Sequence, residues 1–588
     1  MEPSEVKSPP KKILTPSLPC LLDQEDQTLF GDLGPFYDQR FPSNDIKNGI
    51  SYISLITYPD LIDEVEPYEP IYTPKENIIE ECLRRENERV TNQNSLYYRV
   101  VYDCYDTSPF QDIKQQNDPY YIVKSSDDTT LVFESRFESG NLRRAIQIYD
   151  YEYDLVLRLD LNSKGNMQWY YFSIGNTRKG QKYVFNIINM VKPNSLYNFG
   201  LKPCVYSEKN ARNKHIGWIR DGQDICYYQN TIKKSPGSCY FTLTFSIIPE
   251  NDNDTVYLAH CYPYTYSDLC KYLDMIVYDP RKRNRIRRKA LCQTLSGNTC
   301  DLLTITSFNN KAESHKYRKG VVLFARVHPG ESNASWMMKG IIDYLTGPTL
   351  QAKILRDNFV FKIIPMLNPD GVICGNNRCG NAGVDLNRCW IDPSKKLHPT
   401  IYHAKAMVKQ FTEENEIVFS CDFHGHSRKK NVFMYGCIGK NRNREKIFPK
   451  LLEKISDVFS FNDCVFGLQK AKESTARIVI YKEFGIINSF TMEASFCGAD
   501  FGKHADFHFN QEHLQQLGHD FCEGLLDFCS PDQIKVKIVI EELEMLNPFE
   551  EEILDEQVVD ETDESRRRKR SKKPIVKKRT QIRPRKEV

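Results

Sequence analysis

The sequence predicts an α/β domain whose mixed, largely buried sheet is flanked by helices, preceded by an antiparallel β-sandwich. Three observations carry this reading. From about residue 119 to 249, short β-branched or aromatic segments, several alternating at period two, are separated by Gly, Asn and Asp. From about residue 262, continuous apolar runs take over, with helical stretches between them. Both ends of the chain lack a sustained period.

The sandwich segments are 130–134, 144–149, 153–159, 167–173, 182–188 and 239–246. The strands buried on both faces are 320–326, 359–364, 417–421 and 489–492, with helices at 335–345 and 403–411. Four regions follow: a largely disordered extension over 1–118, the sandwich over 119–260, the α/β domain over 261–532 and a tail over 533–588. The extension is rich in proline, acidic residues and isolated tyrosines, and the tail runs acidic from Glu550 and basic from Arg566.

A chain of 588 residues is too long for one compact domain, and 40% hydrophobic residues suffice for large cores. A formal net charge of +2 gives no global reason for a nucleic-acid partner. No run of about 18 apolar residues exists, so membrane insertion is not expected. Prolines and lysines after Met1 leave no apolar core for a secretory signal. The 19 cysteines are scattered through apolar runs without a C-x-x-C pair, which suits reduced core thiols in a cytosolic protein and argues against cysteine-bound zinc.

In open α/β sheets, ligands gather at the carboxyl ends of strands. His328 and Glu331, in His328-Pro-Gly-Glu331, follow the strand that ends near Arg326. His424, in Asp422-Phe-His424-Gly-His426, follows 417–421, and Glu493 follows 489–492. An HxxE pair with one distant histidine supplies three ligands for zinc and leaves a fourth position open, as a catalytic zinc requires. A single histidine is more often a satisfied core or surface group; four such groups at successive strand exits shift that balance. His426, two residues further along an extended segment, is the rival to His424. Glu493, flanked by apolar residues, suits a general base; the alternative is a structural glutamate paired with a basic group. Asp385-Leu-Asn387-Arg388 follows the turn signal Asn368-Pro-Asp-Gly371, and its amide and guanidinium suit bidentate binding of a terminal carboxylate.

Together with Tyr262-Pro-Tyr-Thr-Tyr-Ser267, Phe137-Glu-Ser-Gly-Asn-Leu142, Gln168-Trp-Tyr-Tyr-Phe172 and Thr491-Met-Glu-Ala-Ser-Phe-Cys-Gly498, these motifs resemble the zinc carboxypeptidases. Within them the match is to the cytosolic carboxypeptidases, which trim glutamates from tubulin and other proteins, and most closely to the type-two and type-three members. The resemblance covers roughly residues 120 to 530. It implies one Zn2+ per chain on His328, Glu331 and His424, with Glu493 as general base, and His426 is not implied as a ligand. Arg378 would stabilise the oxyanion, and Asn387 and Arg388 would hold the substrate's terminal carboxylate. The family usually reads Tyr-Arg-Cys-Ser-Leu where this chain has Asn377-Arg378-Cys-Gly-Asn381, so the arginine is kept and its packing support differs.

Sliding 472–477 against the digestive carboxypeptidases places Arg477 at the residue that selects the terminal side chain. A desolvated, charge-assisted hydrogen bond there favours glutamate by roughly ten- to a hundredfold. The alternative is a surface arginine preceding a strand. The implied activity is hydrolysis of C-terminal or branched glutamates. The implied partners are tubulin, microtubules and other polyglutamylated proteins, and the implied place is the cytosol, cytoskeleton, centriole or cilium base rather than the nucleus. Two competing readings are a tubulin-binding pseudoenzyme and a zinc aminoacylase of the aspartoacylase kind, which should lack the sandwich. The basic tail suits acidic tubulin tails, a nuclear localisation run or a solubilising terminus.

Overall fold

The computed structural model describes residues 69–91, 97–104, 120–308, 317–439 and 443–546. The expectations for the rest of the amino-terminal extension and for the acidic-then-basic tail lie outside these residues.

Within them, the amino-terminal half contributes α1 (Ile78–Thr91), β1 (Arg99–Asp103), β2 (Val132–Glu134), β3 (Arg144–Tyr149), β4 (Glu152–Val156), β5 (Tyr171–Gly175) and β6 (Tyr183–Met190). It continues with β7 (Cys204–Ser207), α2 (Glu208–Lys214), β8 (Ile219–Arg220), β9 (Gln223–Ser235), β10 (Ser238–Ile247) and β11 (Val256–Ala259). The strands form two sheets, ordered β1-β3-β4-β6-β10-β9 and β2-β5-β11-β7-β8. Aromatic residues at inward positions fill the space between: Phe133 lies edge-on to Tyr153 at 5.1 Å and to Phe185 at 6.3 Å. One pair departs from the antiparallel expectation. β4 and β6 run parallel, Glu152 opposite Val184, because the chain visits the other sheet as β5 between them.

The boundary at residue 119 is also corrected. β1 pairs with β3, and α1 buries Ile78 and Cys82 against Cys226 and Tyr228 of β9. Further upstream, Ile71 N–H donates to Asp506 O at 2.8 Å and Tyr72 N–H to Gly200 O at 2.9 Å. These pieces have no core of their own, so their order comes from partners distant in sequence.

The second half contributes α3 (Tyr266–Tyr278), β12 (Ile286–Gln293), β13 (Thr299–Ile305), β14 (Lys319–Ala325), α4 (Ser332–Thr346), α5 (Leu350–Asn358), β15 (Phe359–Ile364) and α6 (Pro369–Ile373). Then come α7 (Pro399–Glu414), β16 (Ile417–His426), β17 (Val432–Tyr435), α8 (Ile447–Ile455), α9 (Ala476–Phe484), β18 (Ser489–Ser495), α10 (Gln511–Phe528) and α11 (Ile534–Leu546). α11 shows that the expected tail from 533 begins as a helix. The sheet order is β12-β13-β15-β14-β16-β18-β17, with parallel pairing among β15, β14, β16 and β18 and antiparallel pairing elsewhere. β14, β16 and β18 are adjacent, so their carboxyl ends share one edge.

The two halves share one continuous apolar core. Arg220, 3% exposed, crosses between them: its guanidinium donates to Lys202 O at 2.7 Å, His260 O at 3.0 Å and Phe496 O at 2.9 Å. Three carbonyls and the Tyr262 ring face, 5.0 Å away, replace the water this cation loses. Every cysteine among the described residues is a free thiol, as the sequence led us to expect.

Candidate metal centre and active site

The HxxE turn is shaped by a residue that no motif singles out. Arg326, just past β14, is buried and holds a left-handed φ of 57°. Such a conformation costs on the order of 1–3 kcal/mol outside glycine. Its guanidinium fixes the turn by donating to Pro329 O at 2.7 Å, Tyr264 O at 3.0 Å and Ser335 Oγ at 2.8 Å. That gives the tyrosine-rich segment at 262–267 a structural role. Gly330 is required by close approach, since a Cβ there would fall 2.7 Å from Asn377 Oδ1 and 2.9 Å from Asn377 O.

His328, Glu331 and His424 converge, with all three ligand atoms within 4.8 Å of one another. His328 Nδ1 lies 2.9 Å from Glu331 Oε1, His424 Nδ1 lies 2.9 Å from Glu331 Oε2, and the two Nδ1 atoms are 3.2 Å apart. Ligand atoms about 2.0–2.1 Å from a tetrahedral zinc stand roughly 3.3 Å apart, so this donor set fits zinc. Against the opposing effect of burial, His328 and His424 hold the Glu331 carboxyl well below its usual range.

Both histidines are oriented from behind by carboxylates. His328 Nε2 lies 3.1 Å from Asp385 Oδ1, and His424 Nε2 lies 2.8 Å from Asp422 Oδ2. A carboxylate on the distal nitrogen fixes the ring and raises its basicity as a ligand. Neither aspartate was singled out from the sequence, although both stand inside the motifs. The signal was the acidic residue two or three positions before a ligand or clamp residue.

His424 and Glu493 are not beyond their strands, as expected, but within them. β16 runs on to His426 and β18 to Ser495, and His424 pairs in register with Glu493. Residues opposite each other in a ladder project to the same face, so the glutamate stands beside the metal donors. Glu493 makes no hydrogen bond or ion pair among the described residues, unlike a structural glutamate held by a basic group. Burial pushes its carboxyl up to about 8, against the nearby His424. His426 is turned to other work: its Nδ1 accepts from Lys429 N–H at 3.0 Å, and its ring packs edge-on to Phe433 at 5.0 Å.

The remaining predicted residues divide. Arg378 Nε donates to Asp385 Oδ2 at 2.8 Å and Nη2 lies 2.7 Å from the same oxygen, which ties it to the His328 side of the cluster. Asn387 is buried; its Nδ2 is 3.3 Å from His424 Nε2 and its Oδ1 accepts from Ala476 N–H at 3.0 Å. Arg388 is about one-third exposed, with Nη1 donating to Asn387 O at 3.2 Å. Arg477 is no surface arginine: it lies in the first turn of α9, 5% exposed, with Nη1 on Gly436 O. Its Nε and Nη2 have no acceptor among the described residues. Lys472 is among the charges that act on Glu493.

The departure at 377–381 is explained from the sandwich. The buried Asp160 carboxylate accepts N–H from Asn377 and Arg378 at 2.6 Å and from Cys379 at 2.7 Å. Asn162 Nδ2 donates to Asn381 O at 2.8 Å, and Leu161 N–H donates to Asn376 Oδ1 at 3.0 Å. Burial raises the Asp160 carboxyl to about 6, opposed by those three N–H groups. The loop that presents Arg378 is therefore held by the neighbouring domain.

Residues 275–523 match the family model for zinc carboxypeptidase, and residues 133–232 match that for the cytosolic carboxypeptidase N-terminal domain. The chain is 49% identical over 421 residues to cytosolic carboxypeptidase 2 of Xenopus tropicalis, covering 71% of this chain and 43% of that protein. It is 46% identical over 446 residues to cytosolic carboxypeptidase 3 of Mus musculus, covering 74% of this chain and 44% of that protein. It thus spans less than half the length of these relatives. Among solved structures, a metallo-carboxypeptidase from Burkholderia cenocepacia aligns at a TM-score of 0.54 and 23% identity, covering 68% of this chain and 98% of the other, a likeness of fold. No helix among the described residues is long and apolar enough to cross a membrane.

Proposed function

Because the chain belongs to the cytosolic carboxypeptidase group of the zinc carboxypeptidases, we propose that it is a zinc-dependent protein deglutamylase, removing C-terminal or branched glutamates, chiefly from polyglutamylated tubulin. The observation that carries this reading is the three-donor cluster with Glu493 in register beside it, its carboxylate unpaired. His328, Glu331 and His424 would hold the zinc. Zinc bound there supplies Lewis acidity toward a substrate carbonyl and toward water.

The chain's own residues do the rest. Glu493 takes a proton from the attacking water at its carboxylate and later delivers it to the leaving amine, a task suited to a carboxyl raised by burial. Asp385 and Asp422 keep the Nδ1 atoms of both histidines directed inward. Arg378, tied to Asp385 on the His328 side of the cluster, stabilises the developing oxyanion. Asn387 and Arg388 hold the terminal α-carboxylate, and the free edge of Arg477 selects the acidic side chain. The basic residues Arg378, Arg388 and Lys472 near the donor cluster, with Arg477 in the helix that follows Lys472, support an acidic substrate, and with it the tubulin partner and a place on the cytoskeleton.

Mass spectrometry of polyglutamylated tubulin incubated with the wild type and with Glu493→Gln tests this. Stepwise loss of glutamate should occur with the wild type alone. Identical products from both would remove the enzyme reading.

A further inference from the structure

The sandwich sends a cation toward the metal-donor cluster. Lys192 lies two residues past the end of β6, and its backbone carbonyl accepts from Tyr227 Oη at 2.5 Å. The Tyr227 ring stacks on Phe241 at 5.6 Å with an interplanar angle of 6°, so the base of this loop is anchored in the sandwich. From there Lys192 Nζ reaches across to Ser427 Oγ, 2.9 Å away, in the residue that follows β16. Ser427 is three residues beyond His424.

The charges that act on Lys192 place it near the metal-donor cluster. In order of strength they are Arg378, Glu331, Arg428 and Glu493. Lys192 therefore stands near Arg378 and the metal donors, on the side that the proposed function gives to the scissile carbonyl. Among the described residues no carboxylate lies within ion-pair distance of Nζ, and its one protein partner is the neutral Ser427. Burial, helped by Arg378, lowers the amine to about 8. A cation crowded by two arginines and lacking a protein anion is costly unless a ligand brings one.

Building on the carboxypeptidase reading, we propose that Lys192 is a specificity-determining residue that binds the side-chain carboxylate of the penultimate residue of the substrate, immediately on the acyl side of the bond to be cut. A glutamate preceded by an acidic residue would then meet two separate cationic sites: Arg477 from the α/β domain for the residue released, and Lys192 from the sandwich for the residue retained. This makes consecutive acidic residues the preferred chemistry, with the sandwich reading the second one.

The test uses the full chain loaded with zinc and two synthetic peptides that differ only at the penultimate position, ending Glu-Glu or Ala-Glu. The wild type should cleave the Glu-Glu peptide with the higher kcat/KM, by about tenfold or more. Lys192→Met should collapse that ratio toward one, Lys192→Arg should keep most of it, and Lys192→Glu should shift preference to a peptide ending Lys-Glu. Equal cleavage of both peptides by the wild type overturns the proposal without any variant. So does a Lys192→Met variant in which both peptides fall together, since that marks a structural role. A wild type that cleaves neither peptide overturns the carboxypeptidase reading itself, and this inference with it.

Discussion

The α/β domain and the β-sandwich both contribute to the candidate site, but they do so in different ways. The α/β domain supplies its groups from the carboxyl ends of three adjacent strands, β14, β16 and β18, so each is carried by a short contiguous motif. The sandwich supplies Asp160 and Lys192 from loops, and each acts on residues more than two hundred positions away. The first domain places the metal-donor cluster; the second holds the Arg378 loop and brings Lys192 to Ser427.

Removing a strand-end donor should have the largest effect. His424→Ala should leave the purified protein without stoichiometric zinc after dialysis, measured by atomic absorption, with peptidase activity gone and the sandwich still folded. Full zinc retention would sink the ligand assignment. Next comes the group behind the donors. Asp385→Asn should lower zinc affinity or activity by about 10- to 100-fold, since the variant keeps the shape but loses the charge that orients His328. Competition with a zinc chelator reads this directly.

The sandwich side should give smaller and different losses. Asp160→Ala leaves three N–H groups without their acceptor, of which the buried one of Cys379 alone costs about 1–3 kcal/mol. Because the loop can relax, we expect about a tenfold fall in kcat/KM and a lower melting temperature, with zinc content unchanged. A loss of zinc in this variant would erase the distinction between the two domains.

The mildest effect concerns pH. His260 is buried at the seam, with Nδ1 2.9 Å from Tyr197 Oη and its ring 4.9 Å from Phe496. Burial, then Arg220 and Lys192, push its ring down to about 3. The unfolded chain takes up a proton near pH 6.5 and the folded chain does not. Stability from this site is therefore complete above about pH 6.5 and declines as pH falls from there toward 3, by at most about 1.4 kcal/mol per pH unit. Urea midpoints at pH 7.5 and 5.5 should move less in His260→Phe than in the wild type; equal movement would deny the seam this role.

The legible parts of the molecule share a physical cause. Strand β15 and the buried runs around β14, β16 and β18 could be read because a strand covered on both faces must be apolar throughout. The short strands β7, β8 and β11 and the half-polar β9 could not, since their pairing depends on neighbours far along the chain. His328, Glu331, His424 and Glu493 stood out because strand-end chemistry is local. Arg326 did not, because what it does depends on the three groups its guanidinium reaches. The choice of His424 over His426 needed coordinates, as alternation along β16 places both on one face.

By itself the sequence determined the two-domain order, the family, and His328, Glu331 and Glu493 as candidates for the site, because each rests on residue type and spacing within a few positions. Tertiary structure decided the rest. It extended the sandwich upstream through α1 and β1 and drew Arg477 into the first turn of a helix. It also joined Asp160 and Lys192 to a cleft they do not adjoin in the chain. Those outcomes depend on which surfaces are buried against each other, and burial is a property of the folded whole.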